Sequence, residues 1–348
     1  MGIVISASHN PFFDNGIKLF QAKSGKLSEE DETAISDFFM QSFNETIDQN
    51  LGDREIAVWD DAKKSYLKNV TSHFPSDFLS GFTVVLDCAH GSTYHIAPLI
   101  FEHLGATVIT LSSQPNGKNI NDGCGALHPE SLQKHVIAHK ADIGFAFDGD
   151  GDRVIAVNKH GEIKDGDDLL DLLLALPRFQ TLDRVVGTVM TNKGFEYALL
   201  QKNKTLMRTS VGDKYIALCL DAEQLPLGGE NSGHIIIKDY LSTGDGIFVA
   251  LKVLESMIIN KNWLLTTFEK HAQILINLPV KSKKDLAQRP CAEIIAAHEI
   301  DLGDGRVLVR YSGTENVLRI MTEALHHERA YACALSLAQQ LQDVLNAE

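Results

Sequence analysis

The sequence predicts an α/β chain: tandem, similar α/β domains with parallel or mixed sheets, closed by a smaller α+β domain. Three observations carry this prediction. Short runs rich in Val and Ile alternate with segments of helical spacing, the pattern of α/β units. Polar clusters follow the strand-like runs, where ligands sit in folds of parallel strands. After about Ile276 the pattern changes to two alternating strands and a long amphipathic helix.

Taken in order, Ile3–Ser6 is an apolar run ending in the polar stretch Ser6 to Pro11, which reads as a buried parallel strand entering a loop. Ser28 to Phe43 has helical spacing, and little else before residue 60 is strand-like. Thr83–Leu86, Thr107–Leu111, Asp142–Phe147, Val154–Val157 and Val185–Met190 are short and β-branched, as buried parallel strands are. Ile96–Leu104 and Asp167–Leu176 lie between them with helical periodicity. Ile235–Lys238 is a further strand. Lys281 to Lys284 and Gln288 to Pro290 form a polar connection. Arg306–Tyr311 and Val317–Thr322 then alternate around a Ser-Gly-Thr turn, and Glu328 to Ala347 puts Ala334, Ala338, Leu341 and Leu345 on one helical face.

Composition narrows the class of function. A chain of 348 residues, 44% hydrophobic, has room for two or three domains with their own cores. Its formal net charge of -14 excludes nucleic acid as the main partner, since phosphate backbones select basic surfaces. Five scattered cysteines (Cys88, Cys124, Cys219, Cys291 and Cys333) contain no C-x-x-C pair, which argues against a disulfide framework or structural zinc. No apolar run reaches membrane-spanning length and the amino end has no signal-peptide pattern, so a reduced, cytoplasmic setting without a membrane partner is expected.

Four polar stretches carry chemistry. In DGDGDR, Asp148, Asp150 and Asp152 alternate with glycines after an apolar strand. Glycine lets the backbone curl until the carboxylates converge, and hard oxygen ligands suit Mg²⁺ or Ca²⁺. The EF-hand pattern fails, because its sixth position is Arg153 and its twelfth Lys159. Arg153 beside the cluster suggests a phosphate sharing the site. In SHNP, Ser8 has no G-x-S-x-G elbow and His9 is too near in sequence to act as its base. A phosphoserine at Ser8 completing the metal's shell, with Lys18 as a nearby cation, fits better. In GGENSGH, Glu230, Ser232 and His234 supply donors and acceptors for sugar hydroxyls, and histidine is the residue type suited to moving protons. In RYSGTEN, Arg310, Ser312, Gly313 and Thr314, with Arg319 beyond, have the groups with which a loop grips a phosphate.

Together these stretches, in this order and at these separations, resemble the α-D-phosphohexomutases over the whole chain, and GENSGH is most similar to the family's amino-sugar branch. The resemblance implies four segments: 1–62 with the phosphoserine loop, 63–163 with the metal loop, 164–276 with the sugar loop and 277–348 with the phosphate loop. It implies that phosphorylated Ser8 donates its phosphoryl group to a sugar phosphate, interconverting glucosamine 6-phosphate and glucosamine 1-phosphate. Mg²⁺ would be held by Ser8, Asp148, Asp150 and Asp152, and a hexosamine 1,6-bisphosphate would prime the serine. His9, Lys18 and Arg153 would surround the reacting phosphate, and Glu230, Ser232 and His234 would bind the sugar. Lys214, where arginine is common, would join Arg310, Ser312, Gly313, Thr314 and Arg319 on the other phosphate. Tyr311 departs from the lysine or proline often found there. Activity on mannose or glucose phosphates is the alternative within the family.

The family carries most of a domain before its serine loop, including a Thr-Asp-Gly-Ile-Arg-Gly type segment, and nothing here corresponds to it. The expectation is therefore an incomplete first domain, with mobile residues 1–60, Ser8 poorly placed against the metal and low turnover. A non-catalytic remnant that still binds sugar phosphates is the competing reading. An open apolar edge at Ile3–Ile5 would also invite association into a homo-oligomer.

Overall fold

The computed structural model describes residues 2–21, 25–27, 29–42, 59, 61–312 and 316–346. The chain divides into two compact units, residues 1–189 with 208–266, and residues 190–207 with 267–348.

The first unit opens with β1 (Gly2–Ser6), β2 (Gly16–Gln21) and β3 (Gly25–Lys26), an antiparallel sheet in that order, followed by α1 (Glu29–Ser42). This corrects the sequence reading twice. The first strand pairs antiparallel, Ile3 opposite Leu19 and Ser6 opposite Gly16, and two further strands follow it before α1. The segment Gly16–Gln21 mixes Lys18 and Gln21 with Ile17, Leu19 and Phe20, so it lacks the apolar continuity of a buried strand. Its antiparallel position lets one face meet solvent. Ile3 and Ile5 are 64% and 74% exposed.

Next come α2 (Ala62–Thr71), β4 (Thr83–Asp87), α3 (Thr93–His103), β5 (Thr107–Leu111), α4 (Glu130–His139), β6 (Ile143–Phe147), β7 (Val154–Asn158) and β8 (Ile163–Lys164). They form a five-stranded sheet of order β5-β4-β6-β7-β8. β4 runs parallel to β5 and β6, as the β-branched runs predict. β7 is the exception, pairing antiparallel with β6, Phe147 opposite Val154. Six residues between β6 and β7 leave no room for a crossover helix, so the chain must turn back as a hairpin. Both sheet faces are covered: Val84, Val85, Leu86, Phe145 and Phe147 are buried, and Phe101 of α3 packs against Phe145. Opposite, Leu132 and Val136 of α4 join Val85, Ala146 and Ile155.

α5 (Gly166–Leu174) starts at a capping box, the Asp165 carboxylate accepting the N–H groups of Asp167 and Asp168 while Asp168 returns a bond to Asp165. After it follow β9 (Arg184–Thr188), α6 (Lys193–Gln201), β10 (Thr205–Thr209), α7 (Asp213–Ala222), β11 (Leu227–Gly229), β12 (Ile235–Ile237) and α8 (Gly246–Ile259). In the first unit β11 pairs parallel with β9 and antiparallel with β12, and Val189 donates its N–H to the Thr209 carbonyl.

In the second unit β13 (Ala272–Pro279), β15 (Val317–Ala324) and β14 (Arg306–Tyr311) form an antiparallel sheet in that order. α9 (Cys291–Leu302) and α10 (His327–Asn346) pack with it, and Ala334, Ala338, Leu341 and Leu345 of α10 are buried as their spacing requires. Among the described residues no helix is long and apolar enough to cross a membrane.

The edge position and exposed face of β1 set an expected outcome. Amides of Ile3–Ile5 should exchange hydrogen at least about 100-fold faster than those of Val84–Leu86, which lie in a central strand covered on both faces. Equal protection of the two strands would show that β1 is covered in solution.

Candidate active site

The metal-type loop Asp148–Arg153 is the hairpin turn between β6 and β7. Asp148 builds the turn: its Oδ1 accepts the N–H groups of Gly151 and Arg153, each at 3.1 Å. Gly151 takes the left-handed conformation (φ +79) that the turn needs. The result gathers Asp148, Asp150 and Asp152 until one oxygen from each lies within 4.8 Å of the others. Asp148 Oδ2, Asp150 Oδ1 and Asp152 Oδ1 are buried and have no hydrogen-bond partner among the described residues. Burial, with the charges of Asp152 and Asp150, pushes Asp148 up to about 8, although the Arg153 backbone and guanidinium oppose this. Burial acts on Asp152 in the same sense, yet His234 and Lys18 outweigh it and hold that carboxylate below its ordinary range.

Lys18, on β2, reaches into the cluster with Nζ 2.5 Å from Asp150 and 3.0 Å from Asp152. Burial works against its charge, but the two aspartates prevail and hold its ammonium above the usual lysine range. Arg153 Nε stands 3.9 Å from both Asp148 and Asp152 and makes no hydrogen bond among the described residues. A donor set of this kind, with inward-facing carboxylate oxygens and bound ammonium, suits a small hard cation beside a phosphate.

The serine turn joins β1 to β2 and is tied to this loop at several points. Ser6 donates from Oγ to Asp150 at 2.8 Å and accepts the Ser8 N–H at 2.7 Å. The Ser8 carbonyl accepts the Gly149 N–H at 3.1 Å and Asn121 Nδ2 at 2.8 Å, and Asn121 also donates to the Asn10 carbonyl. A Cβ on Gly149 would stand 2.4 Å from the Ser8 oxygen, so glycine alone permits this approach. Ser8 itself has φ 52, an uncommon conformation held by those bonds. The expectation of a loosely placed Ser8 is thereby corrected: the ties come from the metal loop and Asn121, across more than 100 residues of chain. His9 is half-buried, and burial followed by the Arg153 charge lowers its pKa, favouring a neutral ring.

The third motif is the turn between β11 and β12. Glu230 is buried, with Oε1 accepting the Gly212 N–H at 2.8 Å and Ser232 Oγ at 3.4 Å from Oε2. Val154 donates its N–H to the Gly233 carbonyl, and Arg153 and His234 form a β-bridge, so this turn lies directly on the metal loop. His234 places Nδ1 3.5 Å from Asp152 and Nε2 3.7 Å from Asp213. Lys214 extends from the first turn of α7 to Glu32 on α1, 2.5 Å away. Behind the metal loop, Asp245 caps α8 and accepts hydroxyls from Tyr66 at 2.9 Å and Tyr240 at 3.2 Å, while the Gly246 N–H supports the Gly151 carbonyl.

In the second unit Arg310 and Arg319 face one another across the β14–β15 pair and share a cavity of about 350 Å³ with Asn277 and Met190. Burial, then the Arg319 charge, lowers the Arg310 pKa. Ser312 is buried, its N–H on the Val317 carbonyl and its own carbonyl accepting Lys283 Nζ at 2.7 Å. Gly313 and Thr314 lie outside the described residues. Sequence reasoning missed Ser6, Asn121, Asp213, Glu32 and Asp245. Ser6 stood two residues before Ser8 in the same stretch. The other four gave no local signal.

A metal-type carboxylate turn tied to a serine turn, with a polar turn laid across it, defines the phosphohexomutase class. Family models describe the same class. Phosphoglucomutase/phosphomannomutase domains I, II, III and the C-terminal domain match residues 1–45, 64–161, 165–274 and 275–340. The chain belongs to this family. Its curated relatives include phosphoglucosamine mutases from Anaeromyxobacter sp. (43% identical, 99% of this chain and 76% of the relative) and Azoarcus sp. (44%, 97% and 76%). Another, from Haemophilus influenzae, is 41% identical over 99% of this chain and 78% of its own.

Among solved structures, a Burkholderia thailandensis phosphoglucomutase/phosphomannomutase family protein superposes with TM-score 0.74 at 22% identity, covering 99% of this chain and 76% of that one. An Aspergillus fumigatus N-acetylphosphoglucosamine mutase, solved with GlcNAc-6P and magnesium, gives 0.74 at 18% identity, covering 99% and 89%. Both share the fold.

Two outcomes follow. Asp148→Asn keeps the carbonyl oxygen that accepts the Gly151 and Arg153 N–H groups but removes the buried charge. Because Asp148 ionises at higher pH folded than unfolded, its charge costs stability increasingly as pH rises from about 4 to about 8. Without divalent cations the variant should melt above the parent chain, with a gap that widens over that window and then levels off. Thermal melts at pH 4 to 9 check this. Asn121→Ala should release the Ser8 and Asn10 carbonyls, costing about 1–3 kcal/mol and loosening the turn. Faster amide exchange confined to Ala7–Asn10 is the expected readout.

Proposed function

We propose that the protein is a phosphoglucosamine mutase, an isomerase that interconverts glucosamine 6-phosphate and glucosamine 1-phosphate through a phosphorylated Ser8. The observation that carries this reading is the serine turn bonded, through Ser6 and Asp150, to a loop of three carboxylates whose buried oxygens lack hydrogen-bond partners among the described residues, in a chain 41–44% identical to curated phosphoglucosamine mutases. Those oxygens fit a resident cation, and Asp148, Asp150 and Asp152, with the Ser8 phosphate, would hold Mg²⁺. Once bound, the ion neutralises charge on the transferring phosphoryl group.

The remaining chemistry belongs to side chains. A sugar hydroxyl attacks the Ser8 phosphorus, the P–Oγ bond breaks, the attacking hydroxyl gives up its proton and Ser8 Oγ regains one. The bisphosphorylated sugar turns around and its other phosphate returns to Ser8 by the reverse step, which is also how a hexosamine 1,6-bisphosphate primes the enzyme. Lys18 and Arg153 supply the fixed positive charge around the phosphate, and half-buried His9 faces the same charges. Lys18 bonds the Oδ2 atoms of Asp150 and Asp152, which leaves their Oδ1 atoms for a cation and keeps its ammonium at the cluster where the phosphate would lie. Glu230 and Ser232 orient sugar hydroxyls, with His234 beside them. In the second unit the loop of Arg310, Ser312, Gly313, Thr314 and Arg319 has the groups to take the phosphate that is not reacting, and Lys214 of the first unit is a further candidate for that role.

The test is a mutase assay with the amino-sugar phosphates. Wild-type chain, primed with glucosamine 1,6-bisphosphate and supplied with Mg²⁺, should carry one phosphate at Ser8 and turn over glucosamine phosphate with higher kcat/KM than mannose or glucose phosphate. Ser8→Ala should lose the modification and on the order of 1,000-fold or more in kcat. Phosphate mapped to Ser6 instead, or higher kcat/KM for mannose 1-phosphate, would overturn the serine or the substrate assignment respectively.

A further inference from the structure

Asp152, Asp213 and His234 meet where the metal loop, the first turn of α7 and the β11–β12 turn converge. One donor atom from each lies within 4.8 Å of the other two. The imidazole makes this group more than clustered charge. His234 is only 2% exposed, and its Nε2 has no hydrogen-bond partner among the described residues. Asp152 Oδ1, 3.5 Å from Nδ1, is likewise without a hydrogen bond, and Asp213 Oδ2 stands 3.7 Å from Nε2. These separations are too long for good hydrogen bonds, and a buried imidazole nitrogen left unbonded costs stability. Gly244 keeps the space beside it clear, since a Cβ there would stand 2.9 Å from Nε2.

We propose that Asp152, Asp213 and His234 form a second cation site that takes Zn²⁺. The mixed nitrogen and oxygen donors suit a zinc-class ion, whereas the all-oxygen cluster of Asp148, Asp150 and Asp152 suits Mg²⁺. One imidazole nitrogen binds the ion, and because ligand atoms around a tetrahedral zinc are about 3.3 Å apart, donors now within 4.8 Å of one another close by at most about 1.5 Å, within the reach of side-chain rotation. A water completes the shell. The site shares Asp152 with the first cluster and His234 with the proposed sugar site, and in those two respects it rests on the proposed function. Filling it removes His234 from the sugar, so zinc acts there as an inhibitor.

The experiment titrates metal-stripped chain with Zn²⁺ alone and again under saturating Mg²⁺. One zinc per chain should still bind in the presence of Mg²⁺, and Asp213→Asn should weaken it about tenfold or more while leaving Mg²⁺ affinity unchanged. Co²⁺ provides a readout that needs no variant: wild-type chain in saturating Mg²⁺ should show the strong visible absorption of a low-symmetry, imidazole-bound ion. Asp148→Asn separates the two readings, because it removes Mg²⁺ binding and should leave zinc in place. Zinc fully displaced by Mg²⁺, a zinc affinity indifferent to Asp213→Asn, or zinc lost together with Mg²⁺ in Asp148→Asn would each overturn the inference.

Discussion

Three carboxylates within five residues repel one another, and the arrangement of the first unit is built around holding them together. Asp148 is the most buried of the three and is forced up in pKa by desolvation and by its two neighbours. The β6–β7 turn alone would not keep such a cluster charged and compact. Opposing charge arrives from elsewhere in the chain with Lys18 of β2 and from the loop itself with Arg153. The carboxylates hold Lys18 of β2 beside the loop, and the β11–β12 turn is tied to it by the Val154 N–H on the Gly233 carbonyl. Ser6 adds a hydrogen bond across 144 positions of sequence.

The chemistry-bearing loops share a backbone device. Three of the four motifs lie in the turn of an antiparallel hairpin, with closing pairs Ser6–Gly16, Phe147–Val154 and Gly229–Ile235, and the strands that flank the fourth pair antiparallel at Tyr311 and Leu318. In the first unit all three turns have both ends pinned by ladder hydrogen bonds, which limits how far their side chains can wander. The parallel strands β4, β5 and β6 form the covered core beneath, and their own loops supply supporting groups, such as Asn121 after β5.

Much of this was legible along the chain. Apolar continuity located β4, β5, β6 and β9 to within a residue or two, because strands buried on both faces must be apolar at successive positions. Helical spacing placed α10 and its buried face, and the carboxylate spacing of Asp148, Asp150 and Asp152 announced convergence before any coordinate did, since like charges that close demand a cation. Strand direction was not legible in the strands' composition, although the six-residue connection to β6 does dictate the sense of β7. β1 and β7 resemble the parallel strands in composition, and for β1 only the pairing partner decides its sense. β2 was invisible because a half-exposed strand mixes polar and apolar residues as a loop does.

The sequence by itself determined the types of donor and their order along the chain: a serine, three carboxylates, an arginine, a polar glycine-flanked turn and a pair of arginines. Tertiary structure decided which of them meet. Asn121, Asp213 and Glu32 are ordinary polar residues in their local context, and each gains its role through a partner more than a turn away, while Asp245 caps α8 locally and meets Tyr66 only in the fold. The physical reason is that hydrogen bonds and ion pairs act over about 3 to 4 Å of space, whatever the separation in sequence. Local pattern records what a residue can offer, and the fold alone brings the group that accepts it.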